Sequence, residues 1–458
     1  MLPSLGVLRR QVELTLASKT EQGHDTDGLD RELGSVPDSY DALAAFAERL
    51  ASLPLRAGWR YHEPNELAAI QAECDPSRPP DPVAGPDLAH AASRVRAAFL
   101  GSVCGCILGK PIEFNPTLDD IRAGLEAIGE WPLDDYISER TDVPDAPHQH
   151  PRAAGRFTPS WFETVRERIR HVAPDDDINY TILGMLLLEQ HGTRFEPKDI
   201  VDLWFHQLPL RMTFGPERLL LLKAGADSLE GGGDRDIERW STVLQPCDEL
   251  CGAMIRADAY GYACIGRPGL AAELAWRDAR VTHRRTGIYG AMFAAAAIAL
   301  APVVDEPLAI FERALAYVPR RSRFHEIVSD CLAEVASSGD WLEGYHRIHH
   351  KYRAFDHCRI YQETGTLINT LRFAESVGDG ICKQVSQGND TDSYGATAGS
   401  LLGAFFGGDR LEERWLRYMR DDIHTGLARF YERSLEALAN RMGQLPARVH
   451  AELAGGSR

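Results

Sequence analysis

The sequence predicts an all-α fold, and two patterns and one absence support this class. Near the N-terminus, apolar side chains recur at helical spacing after a turn at Pro37-Asp38, at Tyr40, Leu43, Phe46, Ala47 and Leu50. They recur near the C-terminus, before the predicted stops Gly443 and Pro446, at Leu427, Tyr431, Leu435, Leu438 and Met442. No series of alternating strand segments and no internal repeat occurs in the 458 residues. The expected architecture is a large helical bundle.

The chain is expected to divide into three parts. Residues 1–90 form a partly helical N-terminal extension, residues 91–445 form the main domain, and residues 446–458 form a C-terminal tail. Within the extension, residues 20–36 are polar and predicted to be mobile, and residues 75–86 form a proline-rich linker. The extension is expected to cover a site, to mediate oligomerisation or to do neither.

Composition restricts the partners. The chain has 50 Lys and Arg against 67 Asp and Glu, and its formal net charge of −17 argues against binding to nucleic acid or to an anionic membrane. Nine scattered cysteines are typical of a reduced, cytoplasmic protein, and neither Cys104 with Cys106 nor Cys247 with Cys251 has zinc-finger spacing. The longest apolar stretch, residues 289–301, is shorter than the ~20 residues of a membrane helix and is predicted to be a core helix.

Three segments carry candidate chemistry, and the first one ends an apolar helix. That helix is predicted to begin near Ala97 and to turn at Lys110-Pro111, and Glu113 follows the turn. On its own, Glu113 is interpreted as an ordinary exposed loop residue.

The second segment places Asp175, Asp176 and Asp177 at the start of an apolar helix. The first turn of a helix favours negative charge by about 0.3–1 kcal/mol, so some acid is expected there. Three adjacent carboxylates exceed that need because they repel one another, and a bound cation would relieve the repulsion. The alternative is a plain acidic first turn.

The third segment is a glycine-led turn that leads into another apolar helix. Asp390, Asp392 and Ser393 offer oxygen donors there, which suit hard divalent cations such as Mg²⁺ or Mn²⁺. Glycines spaced by four residues line one face of this helix, namely Gly395, Gly399, Gly403 and Gly407. Because each glycine costs about 1 kcal/mol relative to alanine, the stripe predicts close approach of another helix and a buried position. The alternative is an acidic N-cap on a core helix.

In this order, the three segments resemble motifs of the ADP-ribosylglycohydrolase family. The family pattern reads roughly G-D-A-L-G-x-P-x-E, then T-D-D-T before a helix, then G-x-D-T-D-T/S followed by spaced small residues. Two further stretches, residues 252–258 and 271–283, resemble its N-G-x-M-R and A-x-x-D-A-x-x-T-H segments. The resemblance runs from about Ala92 to about Gly408 and implies an all-helical glycohydrolase domain.

The resemblance also implies two divalent cations, with Mg²⁺ expected first and Mn²⁺ as the alternative. Glu113 and Asp177 are the implied catalytic carboxylates, and the choice of base between them stays open. The implied metal ligands are Asp175, Asp176, Asp177, Asp390, Asp392 and Ser393. The residues expected near the substrate are His283, Gly388, Asn389 and Tyr394.

The chain departs from the family pattern at four positions. Cys106 stands where an aspartate is usual, and Cys251 stands where an asparagine is usual. Asp175 and Ile178 replace the two threonines of T-D-D-T. Loss of a hydroxyl at Ile178 affects one metal position, and Asp175 is expected to supply an additional oxygen.

The implied chemistry leaves three functions open. Cleavage of a glycosidic bond to ribose passes through an oxocarbenium-like transition state, and paired cations would orient the sugar and the attacking water. The substrate is an ADP-ribosylated protein or a small ribosylated metabolite, such as a nucleoside, a nucleotide or an ADP-ribose derivative. The third function is a non-catalytic, crystallin-like binding protein, against which the retained carboxylates argue. A proline- and histidine-rich loop at residues 141–155 is a candidate lid.

Overall fold

The computed structural model describes residues 3–85, 87–113, 116–141, 163–228, 236–355 and 357–455. These residues form α-helices joined by short connections, with isolated β-bridges but no strand or sheet among them. The predicted all-α class is therefore confirmed. Residues 142–155 of the predicted lid lie outside the described residues.

The helices are numbered here in chain order. They are α1 (Leu5–Glu21), α2 (Leu29–Ser35), α3 (Tyr40–Ala51), α4 (Leu67–Glu73), α5 (Leu88–Gly109), α6 (Leu118–Glu126), α7 (Asp176–His191), α8 (Pro197–Gln207), α9 (Gly215–Asp227), α10 (Ile237–Thr242), α11 (Asp258–Ala263), α12 (Pro268–Ala279), α13 (Thr286–Leu300), α14 (Pro307–Leu315), α15 (Arg323–Ala336), α16 (Trp341–Tyr352), α17 (Ile360–Phe373), α18 (Val377–Ser386), α19 (Thr391–Phe406), α20 (Glu413–Leu416), α21 (Leu435–Gly443) and α22 (Leu445–Gly455). Short 3₁₀ turns include Lys110–Ile112 and Cys251–Ala253.

Helices α5 and α19 lie in direct backbone contact at the centre of the bundle. A Cβ atom on Gly105 would lie 2.0 Å from the carbonyl oxygen of Gly395, and one on Gly403 would lie 2.2 Å from that of Ala97. We call this line of contact between the glycines of α5 and α19 the glycine seam. It confirms the close approach and the buried position predicted for α19. Gly407 is the exception, because α19 ends one residue earlier and Gly407 closes the helix with a φ of +85°. The seam consists of Gly101, Gly105 and Gly109 facing Thr391, Gly395, Gly399 and Gly403.

Two apolar helices are enclosed by the rest of the bundle. Every residue of α13 is buried, which confirms the core helix predicted for residues 289–301. Helix α5 begins at Leu88 rather than near Ala97 and continues into the turn Lys110–Ile112. By length and composition the combined helix could cross a membrane, but 89% of its apolar window is buried inside the protein, as in a core helix.

The N-terminal extension has a small apolar core of its own. Residues of α1 and α3 bury Val12, Leu43 and Leu50, as the helical spacing in α3 predicted. Residues 20–36 were predicted to be mobile, but the structure has α2 within them. The extension is joined to the main domain by polar contacts, among them the hydrogen bond of 2.5 Å from the Gln22 side chain to Asp248.

The C-terminal part differs from the sequence prediction. The predicted helix through Leu427 and Tyr431 is wrong, because α21 begins only at Leu435. Ser434 caps this start, since its hydroxyl accepts the Ala437 amide at 3.0 Å, and Asp421 supports the cap by accepting the Ser434 hydroxyl at 2.8 Å and an amide of the first turn. Tyr431 is consequently 82% exposed. Pro446 does not end the chain's helices but lies in the first turn of α22, where proline is tolerated.

Candidate active site

The structure brings the two acidic helix starts together. Asp175 precedes α7 as its N-cap, and Asp392 lies in the first turn of α19. Their carboxylates meet at one ammonium group, because Lys110 Nζ lies 2.8 Å from Asp175 Oδ2 and 2.7 Å from Asp392 Oδ2. Glu113 Oε2 is 3.0 Å from the same nitrogen. Segments far apart in sequence thus form one charged cluster.

Lys110 is the central residue that the sequence reasoning missed. Its side chain is only 6% exposed, and burial alone would lower its pKa. The surrounding carboxylates of Asp175, Asp392 and Glu113 outweigh that effect and raise the pKa well above the usual value for lysine. The ammonium group is therefore a fixed positive charge inside the cluster. The available signal was its spacing of three residues from Glu113 within the same motif.

Helix capping explains the acid at the start of α7 but not the acid at the start of α19. Asp175 does cap its helix, since its Oδ1 accepts the Asp177 amide at 3.0 Å. Asp390 occupies the N-cap position of α19 but its side chain makes no capping bond. Its Oδ2 instead accepts hydrogen bonds from the thiols of Cys251 and Cys358, each at 3.4 Å. The acid at Asp390 is therefore not explained by helix capping.

Asp177 is a buried carboxyl group that the described residues do not pair with a donor or a cation. Its side chain is buried, and neither carboxylate oxygen has a hydrogen-bond partner within the described part of the chain. Burial, followed by the charges of Asp175 and Asp176, raises its pKa well above the ordinary value. Burial and the charge of Glu113 act in the same direction on Asp392. Unpaired buried carboxylates of this kind fit a divalent cation, which would supply the missing partner.

A cavity of about 170 Å³ opens beside the cluster. Four of the predicted site residues line it, namely Glu113, Asp176, Asp390 and Ser393. Asp175, Asp177 and Asp392 are buried behind them. The rest of the lining includes Tyr180, Phe214, Glu217, Cys251, His357 and Cys358.

The residues predicted to lie near the substrate do not line this cavity. Gly388 and Asn389 form the turn before α19, and the Asn389 amide donates to the Pro116 carbonyl at 2.9 Å. Both have positive φ, and a Cβ on Gly388 would lie 2.0 Å from the same carbonyl oxygen. Tyr394 is buried with its hydroxyl 3.7 Å from Met254 Sδ. These residues therefore position the helix start in this conformation.

His283 lies behind the cavity wall. Its Nδ1 is 2.7 Å from the Thr282 hydroxyl and 3.8 Å from Glu217 Oε1, and Glu217 lines the cavity. Burial, and then the charge of Arg256, lowers the pKa of His283 well below the usual value, so the ring is neutral. Arg256 forms buried ion pairs with Glu217 at 2.5 Å and with Asp278. The two stretches around residues 252–258 and 271–283 thus build the support of the wall.

A second set of donors, not predicted as a site, lies on the other side of Asp390. The Cys251 amide donates to the Cys358 carbonyl at 3.0 Å, which holds the two thiols side by side. A ring nitrogen of His357 lies within 4.8 Å of carboxylate oxygens of Glu113 and Asp390. We call Cys251, His357 and Cys358 the thiol side of the site. The carboxylate side consists of Lys110, Glu113, Asp175, Asp176, Asp177 and Asp392.

The four departures from the family pattern have distinct surroundings. Ile178 is buried in the main hydrophobic core, where a hydroxyl is not required. Cys106 lies within 4.8 Å of carboxylate oxygens of Asp175 and Asp177. Asp175 supplies the oxygen that pairs with Lys110. Cys251 was noted in the sequence as a departure and as half of a pair with Cys247 that lacks zinc-finger spacing, whereas its structural partner Cys358 had no sequence signal.

The fold and the site together define an all-helical protein with a carboxylate-rich cleft. The family model described as ADP-ribosylglycohydrolase matches residues 87–450, and the chain belongs to that family. This confirms the resemblance and supports a glycohydrolase. A solved structure described as "ADP-ribosylglycohydrolase-related protein complex" is similar over 79% of this chain and 99% of its own, at 19% identity and a TM-score of 0.47. No curated protein matches the chain.

Proposed function

We propose that the protein is a divalent-metal-dependent hydrolase that cleaves a glycosidic bond to ribose, and that it removes ADP-ribose from a modified acceptor. The observation that carries the proposal is the convergence of two acidic helix starts on one cavity, with Asp177 buried and unpaired beside it within the described residues. Family membership supplies the class of bond. The site lies within the proposed catalytic domain, residues 91–445.

Two divalent cations are proposed for this site. The ligands would come from Asp175, Asp176, Asp177, Asp390, Asp392 and Ser393, and Mg²⁺ is proposed on the carboxylate side because hard oxygen donors surround it. Bound cations would grip ribose hydroxyls and act as Lewis acids. Lys110 already provides one positive charge, which leaves Asp177 as the carboxylate most in need of a cation.

Glu113 is proposed as the general base. It lines the cavity, its side chain remains 20% exposed, and the Lys110 ammonium 3.0 Å away holds its carboxylate in place. A carboxylate in this position can accept a proton from water as the bond to the anomeric carbon breaks. Asp177 is less accessible, since it is buried behind the cavity wall.

The size of the cavity favours a second candidate substrate. Drug-sized ligands occupy pockets of about 300–1,000 Å³. The 170 Å³ cavity bounded by described residues is smaller, so it suits a ribose rather than a whole ADP-ribose group. A small ribosylated metabolite is therefore the alternative substrate. Cytoplasmic localisation is proposed with either substrate, and the nine free thiols support it.

A turnover screen tests the proposal. The full chain is assayed with Mg²⁺ or Mn²⁺ on ADP-ribosylated arginine and serine peptides, ADP-ribose derivatives and nucleosides. We expect release of ADP-ribose or ribose from one class, and Asp176→Asn should reduce the rate by at least about a hundredfold, which corresponds to about 3 kcal/mol of barrier. The exposed control Asp409→Asn should keep the rate. Wild-type rates in Asp176→Asn would refute the assignment, and silence across the panel would favour a binding protein.

A further inference from the structure

The thiol side of the site brings three different metal-binding groups to one point. Cys251 lies in the 3₁₀ turn Cys251–Ala253, and Cys358 lies just before α17. Both sulfur atoms lie 3.4 Å from the same oxygen, Asp390 Oδ2, and all three ligand atoms lie within 4.8 Å of one another. Cysteines that merely fill a core are surrounded by apolar groups. These two face a carboxylate at the edge of a cavity.

The separations match a tetrahedral zinc ion. With Zn–S of about 2.3 Å and Zn–O of about 2.0 Å, sulfur and oxygen ligands of one tetrahedral ion lie about 3.5 Å apart. Both observed S···O separations, 3.4 Å each, are close to this value, and the two sulfur atoms lie within 4.8 Å of each other. In the metal-free protein the same distance is occupied by S–H···O hydrogen bonds, which the metal would replace.

A fourth donor is available at His357. Its Nδ1 is buried and has no hydrogen-bond partner among the residues that the structure describes. A ring nitrogen of His357 lies within 4.8 Å of Asp390 and Glu113 oxygens, so the ring borders the same carboxylate as the two thiols. Histidine nitrogens are common zinc ligands once the ring has lost its second proton, so zinc would have to displace a proton from His357.

We propose that Cys251, Cys358 and Asp390 bind one zinc ion at the edge of the cleft, with His357, which borders Asp390 but is not clustered with the two thiols, as the nearest candidate for the fourth ligand. Thiolate and imidazole donors favour Zn²⁺ over Mg²⁺, whereas the carboxylate side retains the donors that suit Mg²⁺. Zinc binding releases the two thiol protons. The inference deepens the proposed function, on which it rests for placing Asp390 at the substrate cleft, and it makes the centre a pair of unlike metals.

The experiment measures the metal directly and needs no substrate. The full chain, reduced and depleted of metal, is titrated with Zn²⁺ and, as a spectroscopic probe, with Co²⁺. Bound zinc is quantified by inductively coupled plasma mass spectrometry. We expect about one zinc ion per chain and an intense thiolate-to-cobalt charge-transfer band. Cys251→Ser and Cys358→Ser should each reduce the band to about half, the intensity of one thiolate, and weaken zinc binding by at least about a hundredfold, and the double variant should lose the band. Cys247→Ser, a change outside the cluster, should leave both unchanged.

Two outcomes would overturn the inference. One is cobalt or zinc uptake without a charge-transfer band, and the other is equal zinc affinity in Cys358→Ser and Cys247→Ser, with circular dichroism confirming that each variant is folded. The result is distinct from that of the turnover screen. Zinc binding through the thiols without cleavage of any ribosylated compound would support the zinc site and refute the hydrolase. Cleavage without thiol-bound zinc would support the hydrolase and refute the zinc site.

Discussion

The two sides of Asp390 differ in how negative charge is balanced. On the carboxylate side, Lys110 lies between Asp175, Asp392 and Glu113, so part of the charge is compensated by the protein itself. On the thiol side, the neutral thiols of Cys251 and Cys358 donate hydrogen bonds to Asp390, and, against the effect of burial, the acids around His357 raise the pKa of its ring. The carboxylate side is thus stabilised by an ion-pair cluster, and Asp390 on the thiol side is stabilised by hydrogen bonds from thiols.

The difference teaches that the helix starts alone do not define the chemistry of the cleft. Asp390 and Asp392 are two residues apart on one helix, yet their neighbours are soft donors in one case and an ammonium in the other. Substitutions on each side should therefore have different readouts, in turnover, in stability or in pH dependence.

The largest expected effect tests whether proton transfer belongs to the carboxylate side. Glu113→Gln should reduce turnover by about 10²–10⁴-fold, because an amide cannot accept the proton of water. The metal content should stay constant, and both quantities are measured on the same preparation. Exposed Glu312→Gln serves as the control. Loss of metal in proportion to rate would make Glu113 a ligand instead.

A somewhat smaller effect tests the compensation by Lys110. Lys110→Met leaves three close carboxylates without their cation, and breaking a buried ion pair in this way costs about 3–5 kcal/mol of unfolding free energy. Urea unfolding of the metal-free protein measures it. Lys198→Met, which removes an exposed pair with Glu196, should cost less than about 1 kcal/mol. Equal losses in the two variants would contradict the role given to Lys110.

The smallest effect uses a buried acid that lies outside the site as a reference. Burial raises the pKa of Asp258 to about 7, and its Oδ2 accepts the Ser400 hydroxyl at 2.6 Å. The pKa of Asp258 in the folded state lies above its ordinary value of about 3.9. Protonation of Asp258 therefore contributes fully to the free energy of unfolding below pH ~4, and this contribution is lost as pH rises through 7. Between pH 5 and 8 the loss is about 2–3 kcal/mol.

Asp258→Asn should remove this loss, since the amide stays neutral at every pH. Urea unfolding at pH 5 and pH 8 measures the difference, and exposed Asp305→Asn should retain the wild-type pH dependence. An unchanged profile in Asp258→Asn would show that Asp258 ionises normally in the fold. Asp175 is also buried, but the nearby ammonium of Lys110 outweighs burial and lowers its pKa. The comparison of Asp258 with Asp175 shows the effect of a neighbouring positive charge on a buried carboxyl group.

The sequence predicted the helical class, the glycine seam and the convergence of Asp175–Asp177 with Asp390–Ser393, because each rests on local spacing or on a specific motif. It did not predict Lys110 or Cys358 as site residues. The only sequence signal for Lys110 was its spacing from Glu113, and Cys358 had none, because both become site residues through packing between distant segments. The C-terminal helix was placed too early because apolar spacing does not reveal the cap formed by Ser434 and supported by Asp421.

The glycine seam has a consequence for how firmly charges are spaced. Its last member, Gly109, precedes Lys110, and its partner Thr391 precedes Asp392, with the Thr391 hydroxyl donating to the Gly109 carbonyl at 2.8 Å. A Cβ on Gly109 would lie 2.1 Å from the Thr391 carbonyl oxygen. Contact between the two main chains therefore fixes the distance between the backbone positions that carry the Lys110 ammonium and the Asp392 carboxylate. Rotation of a side chain does not change this backbone distance, whereas one methyl group added at Gly109 would increase it.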